Sequence, residues 1–158
     1  MILNRHWPRW IKASFNVHFN AFAVTGNLPM YIEGTTRDTN DAIAFAELRL
    51  TGPRITEQSK GYWCIEIDVD ILIDQKEVKN DIYAYDRNIG AMLAGFTTDI
   101  AVFKLGSGLD DAPDEQLGCF SLLPSAPESI IITNFGAPNK DVKMLQATIE
   151  ATYRMNLS

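Results

Sequence analysis

At 158 residues, 46% of them apolar and 22% charged, the chain has the size and make-up of one globular domain with one hydrophobic core. A formal net charge of −6 argues against a general polyphosphate binder, which needs a basic footprint. No apolar run approaches the roughly 20 residues that span a bilayer, and the N-terminal MILNRHWPRWIK lacks the apolar core of an export signal, so neither a membrane nor a secreted location is expected.

Trp7, Trp10, Ile11, Phe15, His18, Phe19, Phe22 and Ala23 recur at steps of three and four, which predicts an amphipathic helix over about 8–24 whose aromatic stripe packs on the core. Pro8 suits its first turn and Gly26 its end. LPMYIEG (28–34) reads as a short strand and TTRDTND (35–41) as a polar turn. In AIAFAELRLT, Ala42, Ala44, Ala46, Leu48 and Leu50 alternate with Glu47, Arg49 and Thr51, a strand ending near Gly52-Pro53. After a turn in TEQSKG (56–61), WCIEIDVDILID sets Trp63, Ile65, Ile67, Val69, Ile71 and Ile73 against Cys64, Glu66, Asp68, Asp70, Leu72 and Asp74. The two runs form an antiparallel hairpin. Both apolar sets reach one core only if paired residue numbers sum to an odd value, since a slip of one residue flips a strand's faces. Such a register sets Arg49 opposite Glu66 or Asp68, an exposed pair contributing roughly 0.2–1 kcal/mol.

Helical spacing returns with Val78, Ile82, Tyr85, Ile89, Met92, Leu93 and Phe96, a helix over about 76–94 with Gly95 near its end. DIAVFKLG (99–106) is a strand, SGLDDAPDEQLG (107–118) an acidic loop, and CFSLL (119–123) a further short strand. SIIITNF (129–135) and KMLQATIEATYRM (143–155) make a second hairpin across GAPNKD. The order implies an α+β fold in a single domain over 1–158: one mostly antiparallel sheet with two flanking helices.

The row Glu66, Asp68, Asp70 carries the one reading with catalytic content. Alternate carboxylates on a strand lie about 7 Å apart on one face, and Mg²⁺-dependent phosphoryl-transfer or nuclease sites take two such acids plus substrate phosphates. That chemistry also needs a third acid from another strand and a poised cation. The basic residues are scattered, and KLGSGLDD matches neither phosphate-loop pattern. No serine lies in GxSxG, and Cys64 with His18 would form a dyad only through tertiary accident. Cys64 and Cys119 stand apart without CxxC or histidine spacing, as reduced cytosolic thiols do, and two histidines cannot build a histidine-rich metal centre. No catalytic, cofactor-binding or metal-ligating residue is therefore assigned. The acidic row reads as the wet side of a sheet.

The leading helix, PMYIEG, the wide hairpin AELRLTGPRITEQSKGYWCIEIDVDILI, the second helix and the closing strand ATIEATYRMNL together resemble the tail terminator (tail completion) proteins of long-tailed bacteriophages. The resemblance is one of pattern over most of the chain. It implies a virion protein of the tail and neck, assembled in the host cytoplasm, without enzymatic activity or cofactor. Such a protein forms a homo-oligomeric ring of six that caps the tail tube protein, stops its polymerisation and meets a head-side neck or connector protein. DNA passes through the lumen without specific binding. On that reading the protruding segments 52–61 and 107–118 make ring contacts through Arg54, Lys60, Asp110, Asp111 and Asp114, and Glu66, Asp68 and Asp70 face a neighbour or the lumen. A closed ring needs two different patches per subunit, because its interface is heterologous.

Overall fold

A computed structural model describes residues 5–33, 43–76, 83–104, 115–124, 129–136 and 144–157. Helix α1 (Trp7–Thr25) is followed by strands β1 (Met30–Ile32), β2 (Ala44–Ser59) and β3 (Tyr62–Lys76), helix α2 (Ala84–Phe96), and strands β4 (Ile100–Lys104), β5 (Glu115–Leu122), β6 (Ile130–Gly136) and β7 (Met144–Leu157). The strands form one sheet in the order β1-β2-β3-β7-β5-β4, with β6 also pairing β7. Among the described strand pairs only β1–β2 is parallel. The α+β class holds.

Strand β3 is the middle of the sheet. It pairs β2 on one side, and β7 on the other from Trp63↔Leu157 to Lys76↔Met144. The far edge of β7 is divided between two short strands. β6 takes it from Gln146 to Ala151, and β5 takes Tyr153 and Arg154.

Both helices lie against one face of the sheet, α1 on β1, β2 and β4, and α2 on β3 and β7. The alternation read in β3 fixes which face: Ile65, Ile67, Val69, Ile71 and Ile73 are all buried, and Ala147, Ile149, Ala151, Tyr153 and Met155 of β7 join them. Each isoleucine, valine or methionine among them contributes on the order of 1.5–3 kcal/mol through removal from water. The α1 stripe supplies the other wall, with Trp7, Trp10, Ile11, Phe15, Phe19 and Ala23 buried. Phe15 meets Phe120 and Tyr153 edge-on at 5.1 and 5.6 Å between ring centroids. The Tyr153 hydroxyl, buried with these rings, donates to the Phe96 carbonyl at 2.8 Å, so burying its polar end costs little. Ser14 Oγ accepts from the Phe103 amide at 3.0 Å and ties α1 to β4.

Four expectations need correction. The second helix begins at Ala84, not near residue 76, because β3 keeps its ladder with β7 through Lys76. Gln75, on the helix-covered side, is held there by Asn88 of α2 and by its own bond to the Lys76 carbonyl at 2.8 Å. Residues 115–118 begin β5 instead of belonging to a loop. Segment 52–61 is mostly strand, since β2 runs past Gly52-Pro53 to Ser59. Finally, Arg49 pairs with Asp70, not with Glu66 or Asp68.

The third of these has a visible cause. Up to Thr51↔Asp68 the β2–β3 pairs sum to an odd number, as expected, but a bulge between Thr51 and Arg54 changes the parity, and Arg54 faces Glu66. Gly52 adopts φ +113°, open to glycine and strained for other residues, and Pro53, lacking an N–H, sits where the ladder is already interrupted.

Candidate functional site

The sheet face away from the helices is where the candidate residues gather. Its side chains come from Glu47, Arg49, Thr51 and, after the bulge, Arg54 of β2, from Cys64, Glu66, Asp68, Asp70 and Asp74 of β3, and from Gln146, Thr148, Glu150, Thr152 and Arg154 of β7. Paired residues of neighbouring strands share a face, so the acidic row of β3 lies between two rows of mixed charge and polarity.

Three guanidinium groups each take a carboxylate. Arg54 reaches Asp68 at 2.6 and 3.2 Å and Glu66 at 3.4 Å. Arg154 binds Glu66 from the other side at 2.5 and 3.0 Å, and Thr152 donates to Asp68 at 2.7 Å. Arg49 Nε donates to the buried Glu47 at 2.9 Å. Hydrogen bonds from Arg154 first, then Arg54, hold the Glu66 carboxyl below its ordinary range against a partial cost of burial. The Arg54 bonds, aided by Thr152, do the same for Asp68. The two arginines are correspondingly pushed further toward the charged form.

One step along the row the balance changes. Asp70 is flanked by Arg49 on β2 and by Glu150 directly opposite on β7. One of its oxygens, Oδ1, is buried without a hydrogen-bond partner among the described residues. Burial first, then repulsion from Glu150 and Glu33, pushes its carboxyl above the usual range, and Arg49 offsets this in part. Beside this pair the surface dips into an open depression lined by Asp68, Asp70, Ser129, Ile131, Glu150 and Thr152. Farther along, Gln146 donates to Asp74 at 2.6 Å, and Tyr31 packs edge-on against the nearly buried Phe45 at 6.0 Å.

Arg54, Glu66 and Asp68 thus come together, and Asp70 adjoins them. Lys60 stands apart at the exposed turn between β2 and β3. Asp110, Asp111 and Asp114 lie outside the described residues. Sequence reasoning missed Arg154, Thr152 and Glu150, whose polar parity in β7 was legible but whose neighbour β3 was not. It also placed Arg49, not Arg54, against the row.

A metal ion would have to displace Arg54 and Arg154 from Glu66 and Asp68, and among the described residues no three His, Cys, Asp or Glu side chains are grouped to hold one. Cys64 lies on this open face beside Glu66, whereas His18 lies on α1 across the sheet, its Nε2 2.8 Å from the Gly95 carbonyl oxygen. They cannot form a dyad. No described helix is long and apolar enough to cross a membrane.

No family model and no curated protein matches the chain. Among solved structures that resemble it, one aligns over 94% of this chain and 94% of its own, at 15% identity and a TM-score of 0.49.

Proposed function

We propose that the chain is a structural subunit of a ring that ends a phage tail tube and joins it to the head-side neck, with the open sheet and its edges as assembly surfaces. The observation that carries this reading is the group of exposed large apolar side chains on the sheet's edges and turn, distinct from those exposed on α1 such as Val17 and Val24. Ile32 lies on the β1 edge, Ile131 and Ile132 on β6 at the opposite side, and Ile55 and Tyr62 beside the β2–β3 turn. Exposed apolar residues on sheet edges invite pairing with another chain, and two unlike edges are what a head-to-tail ring consumes. The ion-paired row Glu66, Asp68, Arg54 and Arg154 suits a rigid contact surface, since each side chain's position is fixed by its partners. A net charge of −6 keeps such a ring from gripping the DNA that passes through it.

The competing reading, a Mg²⁺-dependent phosphoryl-transfer enzyme built on Glu66, Asp68 and Asp70, loses support from the arginines that already occupy the first two carboxylates. The test is the mass of the purified chain in solution, alone and after addition to tail tubes. A ring-sized species, or chain bound at tube ends with tube growth halted, is expected. A persistent monomer that neither binds nor caps tubes overturns the reading.

A further inference from the structure

The ring reading leaves open which surfaces meet, and the edges of the sheet differ in how they are finished. At the β4 end α1 packs against the strand, and the Ser14 hydroxyl takes the Phe103 amide. β6 is finished otherwise. It pairs β7 on one side, and among the described residues no strand pairs it on the other. Ile131, Ile132, Thr133 and Asn134 are exposed in succession, so neither face of the strand is covered there, although Ile149, the register partner of Ile132, is fully buried. Segment 129–136, SIIITNFG, holds no charged residue and no proline, the residues that blunt an edge against another chain, and residues 130–133 are β-branched throughout. A bare apolar edge of this kind is a template for a further strand.

A second bare edge lies across the sheet. β1 pairs β2 only over residues 46–48, and among the described residues no strand flanks the outer side of β2 over 54–59. This stretch follows the bulge, is exposed throughout, and carries Ile55 on the helix-covered side of the sheet, paired with the buried Ile65. Ile132 lies on that same side through its pairing with Ile149. Strand direction agrees as well. β2 and β7 run one way, and β3 and β6 the other. A copy carried round a ring, its sheet continuing that of its neighbour, therefore presents β2 antiparallel to β6, which is the more stable pairing. The helix-covered faces stay on one side, so Ile55 and Ile132 cover each other.

We infer that the outer edge of β6 receives the 54–59 stretch of β2 from a second copy of this chain, so that the sheet continues from subunit to subunit. The inference rests on the ring reading and names its interface. Main-chain N–H and C=O groups supply the attraction, and Ile132 against Ile55 adds an apolar cross-strand contact. The two edges are unlike, so each subunit gives one and receives one, and the series can close. A pairing of β6 with β6 about a twofold axis would instead use one edge twice and stop at two molecules.

The test is edge blocking, read by sedimentation of the full chain. Ile132→Lys and Ile55→Glu, both at exposed positions, are each expected to weaken self-association by about tenfold or more. Cross-linking gives a second reading that does not rest on loss of assembly. With Cys119→Ser removing the exposed thiol, chains carrying Ile132→Cys and chains carrying Ile55→Cys should be joined to one another by a short bis-maleimide, and neither variant alone should be joined to itself. If the unmodified chain forms a ring-sized species but either edge substitution leaves association unchanged, the mixed cysteine variants fail to join, or Ile132→Cys joins to itself, this interface is wrong while the ring reading stands. If the unmodified chain stays monomeric even with tail tubes, the ring reading falls and takes the interface with it.

Discussion

The two faces of β3 are built from the same twelve-residue run and obey opposite rules. On the helix side Ile65, Ile67, Val69, Ile71 and Ile73 are fully enclosed, and what matters there is volume and shape. On the other side Glu66 and Asp68 are matched by arginines, Asp74 by Gln146, and Asp70 by an opposing carboxylate. The first face makes a stable domain. The second stores a local mismatch that a stability argument alone does not explain.

The largest expected effect lies on the enclosed face. Phe15→Ala removes a ring that Phe120, Tyr153 and Phe19 surround, and should cost about 3–5 kcal/mol in urea unfolding. A loss within the range of surface substitutions would mean that α1 does not seal this core. Next comes the bulge. An alanine Cβ at Gly52 would lie 3.1 Å from the Arg54 amide and 3.3 Å from the Glu66 carbonyl, at a φ that L-residues rarely adopt. Gly52→Ala should therefore destabilise by about 1–3 kcal/mol and misplace Arg54. Unchanged stability would show that the bulge is tolerant of a side chain.

On the open face the expected signs diverge. Asp70→Asn should stabilise the isolated subunit at neutral pH by roughly 0.2–1 kcal/mol, by removing one of two opposed charges. The sign follows from linkage. A carboxyl whose folded-state pKa is raised burdens the fold above that value, and the burden is relieved as pH falls through it. The advantage of the variant should thus shrink on acidification. Asp68→Asn should show the opposite pH trend. The folded-state pKa of Asp68 is lowered, so its contribution is present above the ordinary carboxylate range and is lost as pH falls through the depressed value. With Asp68 partly exposed, the loss at neutral pH should stay below about 1 kcal/mol. Matching pH profiles for the two variants would erase the distinction between the neutralised and the mismatched ends of the row.

Much of the enclosed face was legible because alternation and helical spacing report burial directly. The α1 stripe, the β3 core residues and the second hairpin all follow from it. The open face was legible only in part, because its chemistry depends on which strands are neighbours. Glu66 could be recognised as acidic from its own strand, but its partner Arg154 comes from the far end of the chain. Arg54 carries even parity and would fall on the core side of an unbroken strand. The bulge moves it, and Gly-Pro reads equally well as the end of a strand. The helix boundary near residue 76 failed because charged residues there fit a helix surface as well as the end of a long strand.

The placement of β7 has a kinetic consequence. The middle strand β3 is completed by residues that follow it by most of a domain length, Trp63 meeting Leu157 and Ile67 meeting Tyr153. Until that closing strand arrives, β3 has only its hairpin partner, and the apolar row from Ile65 to Ile73 has an open flank. Chains dominated by such distant pairings gather their native contacts slowly. A hydrogen-exchange pulse during refolding should therefore find the β2–β3 amides protected early, and the β7 amides only together with the burial of Phe15 and Tyr153.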